Sequence, residues 1–96
     1  MVILIGSHGV SDYEAWVDLG KKSMRDSERR AQFGIVESHA YRTDDGNTAI
    51  VIHTFNTLEE AQKYKAMMDT PEGHARLEQN GGAPPFTFWI AEEIEM

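Results

Sequence analysis

The chain has 96 residues, with 16 acidic and 9 basic side chains giving a net charge of −7 and a pI near 4.9. That balance disfavours general binding to nucleic-acid phosphates. Cysteine is absent, which removes disulfides, thiolate nucleophiles and thiolate metal sites, and no apolar run approaches the roughly 20 residues of a membrane helix. The length suits one domain spanning 1–96, and the composition fits a cytoplasmic protein with no nucleic-acid or membrane partner.

Val2 to His8 is a short, β-branched run closed by Gly9, and reads as a first strand rather than a leader. Ser11-Asp12-Tyr13-Glu14 fits a capping box with Ser11 as the cap. Tyr13, Trp16, Val17, Gly20, Met24 and Ala31 then recur at helical spacing, predicting one helix that ends at Gly34. Gly20 costs about 1 kcal/mol in a helix interior, and close packing against a strand is its expected purpose. Ile35–Arg42 and Thr48–Phe55 flank Thr43-Asp44-Asp45-Gly46-Asn47, a loop rich in turn formers, and predict a hairpin. Thr57-Leu58-Glu59-Glu60 opens a helix reaching about Asp69. Thr70-Pro71-Glu72 opens a third helix with proline at its first position. Gly81-Gly82-Ala83-Pro84-Pro85 stops that helix, and Phe86–Ile90 forms the last strand.

This order is a ferredoxin-like βαββαβ fold of the α+β class: one four-stranded antiparallel sheet with helices on one face and the other face bare. Pairing Tyr41 with Ala49 in the hairpin sets His39 opposite Val51, Glu37 opposite His53 and Ile35 opposite Phe55. One face then carries all eight of those side chains. The other carries Val36, Ser38, Ala40, Ile50, Ile52 and Thr54, small enough for helices to approach. The first face, mixing aromatic, apolar and ionisable groups, suits a partly wet cavity. A bare face of this kind calls for a second copy of the chain, and the cavity is expected between the two sheets or between sheet and helices.

With these features the chain resembles the dimeric α+β barrel superfamily, which includes small antibiotic-biosynthesis-monooxygenase-like and cyclase-like proteins. The resemblance rests on Tyr13-Glu14-Ala15-Trp16, Phe33-Gly34-Ile35, the hairpin from Ala40 to Asn47, Phe55 to Ala61, Thr70-Pro71-Glu72, and Gly81 or Gly82 before an aromatic strand. It covers nearly the whole chain, through spacing and fold rather than a catalytic signature. It implies a homodimer joined through the sheet face and a small aromatic or apolar ligand. The implied activities are cofactor-free monooxygenation, or cyclase or isomerase chemistry. A ligand-binding module without catalysis and a haem-binding member are the alternatives.

Candidate chemistry centres on Glu37, His39 and His53, where a cross-strand carboxylate can orient an imidazole for general acid–base work. His39 or His53 would be the base, Glu37 its orienting partner, and Tyr41 the stabiliser of a developing oxyanion. Phe55, Val51, Phe88, Trp89 and His8 are the expected ligand contacts. The same His–His–Glu set could be read as a metal site, but no metal or other cofactor is expected. Trp16 and Tyr13 read as core, and His74 as exposed. A phosphate-binding loop, a serine nucleophile elbow, a zinc-protease helix and a nicotinamide or flavin fingerprint are all missing.

Overall fold

Alternating apolar residues build the four strands, and capped amphipathic segments build the helices between them. The computed structural model describes residues 1–96. Its elements are β1 (Val2–Val10), α1 (Tyr13–Arg25), α2 (Ser27–Phe33), β2 (Ile35–Arg42), β3 (Thr48–Phe55), α3 (Leu58–Met68), α4 (Pro71–Gln79) and β4 (Gly82–Glu92). The strands form one sheet in the order β2-β3-β1-β4, with every neighbouring pair antiparallel. This is the expected ferredoxin-like arrangement with helices on one face. No helix is long and apolar enough to cross a membrane.

Several end signals act as anticipated. Thr57 accepts a hydrogen bond from the Glu60 amide at 3.2 Å, and Thr70 accepts one from the Gly73 amide at 3.0 Å, with Pro71 in the first helical turn. Gly34 adopts a left-handed φ of 78° and closes α2. The first helical segment departs from expectation in two ways. Its cap is Asp12, whose carboxylate accepts from the Ala15 amide at 3.1 Å, while the Ser11 hydroxyl turns away to the Gly82 carbonyl at 3.5 Å. The helix also breaks at Asp26, whose side chain accepts from the Arg29 amide at 3.0 Å and starts α2. A short acidic side chain there competes for backbone donors that a continuous helix would use.

β4 starts four residues before the expected Phe86. Gly82 and Ala83 pair with Val10 and Gly9, and the ladder resumes at Thr87 opposite Ser7. Pro84 and Pro85 sit in the irregularity between, on an edge strand, where their missing donors break no interior ladder.

The hairpin register also differs. Ile35 lies opposite Phe55 as expected, but a bulge at Val36 shifts the rest by one residue. Arg42 therefore faces Ala49, Tyr41 faces Ile50, His39 faces Ile52, and Ser38 rather than Glu37 faces His53. Ala49, Val51, His53 and Phe55 point to the helices, opposite to the expected assignment. Glu37, His39 and Tyr41 point to the bare face together with Ile50, Ile52 and Thr54. The core explains the inversion. Phe55 and Leu4 are almost fully buried beneath Ala61 of α3, with Val2 beside them and Ile35, Tyr64, Phe88 and Ile90 around the cluster.

Two glycines of α1 and its anchor differ in what they tolerate. Gly81 has φ +97°, and a Cβ there would land on the Asp12 carbonyl oxygen. A Cβ on Gly20 meets nothing within 4 Å, so the expected close packing is absent. Gly81→Ala should cost about 2 kcal/mol or more in urea unfolding, whereas Gly20→Ala should add up to about 1 kcal/mol. Equal effects from the two substitutions would contradict this placement of α1.

Candidate functional site

The packed core occupies one end of the helix–sheet layer, and the other end is hollow. Leu4, Gly6, His8, Val51, His53 and Phe88 floor a cavity of about 530 Å³. Tyr13, Trp16, Val17, Gly20 and Met24 of α1 roof it, while Tyr64, Met67 and Met68 of α3 and Leu77 of α4 wall it. No residue of α1 is buried, because its apolar stripe faces this space instead of a packed neighbour. Gly6 keeps the floor low: a Cβ there would come within 3.2 Å of the Phe88 ring. The volume falls within the usual range for small-molecule sites.

Two histidines stand on the floor in different states. His8 is the one buried polar side chain. Its Nδ1 lies 2.7 Å from the Gly9 carbonyl, which can only accept, so Nδ1 carries a proton and the neutral tautomer this selects has its lone pair on Nε2. Trp16 meets the His8 ring edge-on at 5.7 Å. His53 Nδ1 lies 2.6 Å from the Ser38 hydroxyl, whose oxygen also receives Arg30 Nη2 at 3.4 Å. If Nδ1 were the donor, the serine proton would have no acceptor, so the network assigns Ser38 as donor and leaves Nε2–H on His53. Burial, with the Arg30 charge adding to it, pushes the His53 pKa down to about 4. Tyr64 stacks edge-on against His53 at 5.3 Å. Its phenol is pushed above its ordinary value by burial, partly offset by Arg29. The cavity therefore offers a proton acceptor at His8 and neutral donors at His53 and Tyr64.

The expected site residues divide between the two faces. His8, Val51, His53 and Phe88 line the cavity. Phe55 is sealed in the core beside His53, at a ring distance of 6.5 Å. Trp89 is on the other face and 50% exposed. Glu37 and His39 do form a pair, at 2.8 Å, but it is exposed on the outer face. It cannot orient His53, because the bulge at Val36 separates them by a whole sheet. The three-residue metal reading falls for the same reason. Tyr41 lies 6.5 Å from His39 by ring centroids and also borders the cavity at the β2 edge. His74 is half-buried rather than exposed: it pairs with Asp69 at 2.8 Å and its ring lies tilted against Phe86 at 4.9 Å. Sequence reasoning missed Ser38, Tyr64 and the roofing role of Trp16. The one available signal was the glycine at position 20, on the same stripe as Trp16, read there as a site of close packing.

No protein-family model matches the sequence, and no curated protein matches it either. Solved structures do match over essentially its whole length. A monooxygenase of Streptomyces coelicolor, ActVA-Orf6, solved with the ligand nanaomycin D, is 10% identical, with a TM-score of 0.67 over 99% of this chain and 88% of that one. SnoaB, a cofactor-independent oxygenase of Streptomyces nogalater, is 13% identical, with a TM-score of 0.62 over 99% and 94%. A candidate antibiotic biosynthesis monooxygenase of Deinococcus radiodurans is 13% identical, with a TM-score of 0.64 over 100% and 95%. The chain thus has the ferredoxin-like subunit fold of the dimeric α+β barrels. At this identity the likeness is one of fold, and it is shared with antibiotic biosynthesis monooxygenases.

The state of His53 has a thermodynamic signature. Its folded pKa of about 4 lies below the unfolded value of about 6.5, so the unfolded chain binds the extra proton between them. Stability from this group is complete above pH 6.5 and is lost as the pH falls through 6.5 towards 4. The loss should be about 2–3 kcal/mol. Urea unfolding from pH 7.5 to 4 should show this slope in the native chain and lack it in His53→Gln; identical slopes would contradict the assignment.

Proposed function

We propose that the protein is an oxygenase that works without a cofactor, acting as a homodimer on a hydroxylated aromatic molecule held between helices and sheet. The observation that carries the reading is the opposite hydrogen-bonding polarity of His8 and His53 on one apolar floor. The likeness in fold to SnoaB and ActVA-Orf6 supports it. His8 Nε2 accepts the phenolic proton and makes the ring electron-rich. His53 Nε2–H and the Tyr64 hydroxyl donate to charge that develops on oxygen as the ring reacts with dioxygen. The substrate supplies the electrons: a phenol and one O₂ give a quinone and one water, so no flavin or metal is needed for balance. His8 and His53 stand opposite Ala49 and Leu4 on adjacent strands. Four residues of strand separate them, about 13 Å, so the substrate they share spans fused rings, with the hydroxyl at His8 and the reacting end at His53.

Oxygen uptake with dihydroxynaphthalenes tests the chemistry. His8→Gln should lower turnover by about 10²-fold or more, with the fold intact by circular dichroism. Glu37→Gln and His39→Gln should leave it within about twofold. Loss of activity in the Glu37 or His39 variants alone would place the chemistry on the outer face instead.

The dimer rests on that outer face. Ile52, Ile5 and Trp89 form a row across three strands, with His39 at its end, and Trp89 is 50% exposed. Two such faces stack about 10 Å apart and cover one another. Sedimentation should give twice the chain mass, and Ile52→Lys should give the single-chain mass. A native monomer, or an Ile52→Lys dimer, would contradict sheet-to-sheet pairing.

A further inference from the structure

The charges around the cavity do not follow those of the chain. The sequence carries sixteen Asp or Glu and nine Lys or Arg residues, yet Lys21, Arg29, Arg42 and Arg76 line the cavity without one Asp or Glu. None of the four has a carboxylate within 4.0 Å; the one Lys–acid pair in the molecule is Lys63 with Glu59. An electropositive hollow in an acidic protein points to an anionic occupant.

Beside the hollow lies a second chamber of about 50 Å³ that shares Ser23, Met24, Arg29, His53 and Tyr64 with it and is lined also by Arg30 and Ser38. That is room for a group of a few atoms and not for a ring. Arg30 enters it poorly satisfied. Its Nε is sealed from solvent without a partner, and its other two contacts are long, 3.3 Å to the Met24 carbonyl and 3.4 Å to Ser38. The sealed Nε is out of a ligand's reach, but the two Nη groups, held only by long bonds, are left to a ligand in the chamber, and a carboxylate is the small group whose geometry matches a guanidinium.

We propose that the ligand is an aromatic acid, its carboxylate seated in the small chamber against Arg29 and Arg30 and its ring body in the large cavity. This rests on the oxygenase reading for the location of the ring but adds the acid group as the feature recognised. His53 and Tyr64 stand where the two chambers meet, so the carboxylate would anchor the ring beside the groups assigned to donate to it. A neutral molecule of the same shape would leave the two guanidiniums unanswered.

Calorimetric titration with 1-hydroxy-2-naphthoate and its methyl ester, on the full chain near neutral pH, tests this. The acid should bind about tenfold tighter or more. Arg29→Gln and Arg30→Gln should each bring the acid close to the ester while the ester's affinity stays within about twofold. Because Arg30 also bridges to α1 through the Met24 carbonyl, Arg29→Gln serves as the variant that leaves that bridge intact. Equal affinities in the native chain, or a preference that survives both substitutions, would overturn the acid chamber. Ester binding without acid preference would do so while leaving the cavity as the binding place, and binding of neither compound would remove both.

Discussion

Phe55 and Leu4 lie against Ala61 at one end of the sheet, and that contact decides what the other end can be. It pins α3 close to β1 and β3 through the smallest side chain that still packs. Nothing equivalent draws α1 down. Instead α1 is fixed at its ends: the Ser11 and Asp12 amides donate to the Gly81 carbonyl at 2.8 and 3.2 Å, and Arg30 reaches back to Met24 at 3.3 Å. A helix held at both ends and unsupported along its middle spans a hollow, and its apolar stripe becomes a roof. The packing left undone there is the contact surface that the proposed ligand would complete.

Much of this was legible in the sequence, and the failures have local causes. The hairpin loop, the caps at Thr57 and Thr70 and the left-handed Gly34 depend on a few neighbouring residues, and so could be read from them. The break at Asp26 was also local, with Asp26-Ser27-Glu28-Arg29 carrying a cap inside an apparently continuous stripe, but the stripe outweighed it. The bulge at Val36 left no such sign. It exists because Ile35 must stay over Phe55 while Ser38 meets His53, a demand set by tertiary packing and invisible to alternation. One inserted residue then carried Glu37 and His39 to the wrong side of the sheet for the chemistry first assigned to them. Ser38, the partner that does meet His53, was passed over because small polar residues on strands carry no pattern.

The floor of the cavity shows how one side-chain type takes two roles from its surroundings. His8 meets a backbone carbonyl and is left with an acceptor; His53 meets a serine hydroxyl beside an arginine and is left with a donor. Desolvation keeps His53 neutral, so it offers that donor without a competing charge. The same burial raises the phenol of Tyr64 and holds its proton in place. Hydrogen-bond acceptor and donor are thus separated by environment, the separation that the proposed acid–base chemistry uses. The basic residues that frame this floor, gathered from α1, α2, α4 and the end of β2, give the cavity a sign opposite to the protein's own.

On the proposed reading, ligands enter the helix–sheet gap and not the bare outer face of the sheet. Methyl NMR with added 1-hydroxy-2-naphthoate separates the two most directly, because the faces carry different reporters. Shifts should concentrate on Leu4, Val51, Met67, Met68 and Leu77, which line the cavity, with Ile5, Ile50 and Ile52 unmoved. Shifts centred on those isoleucines, with the cavity methyls still, would contradict it.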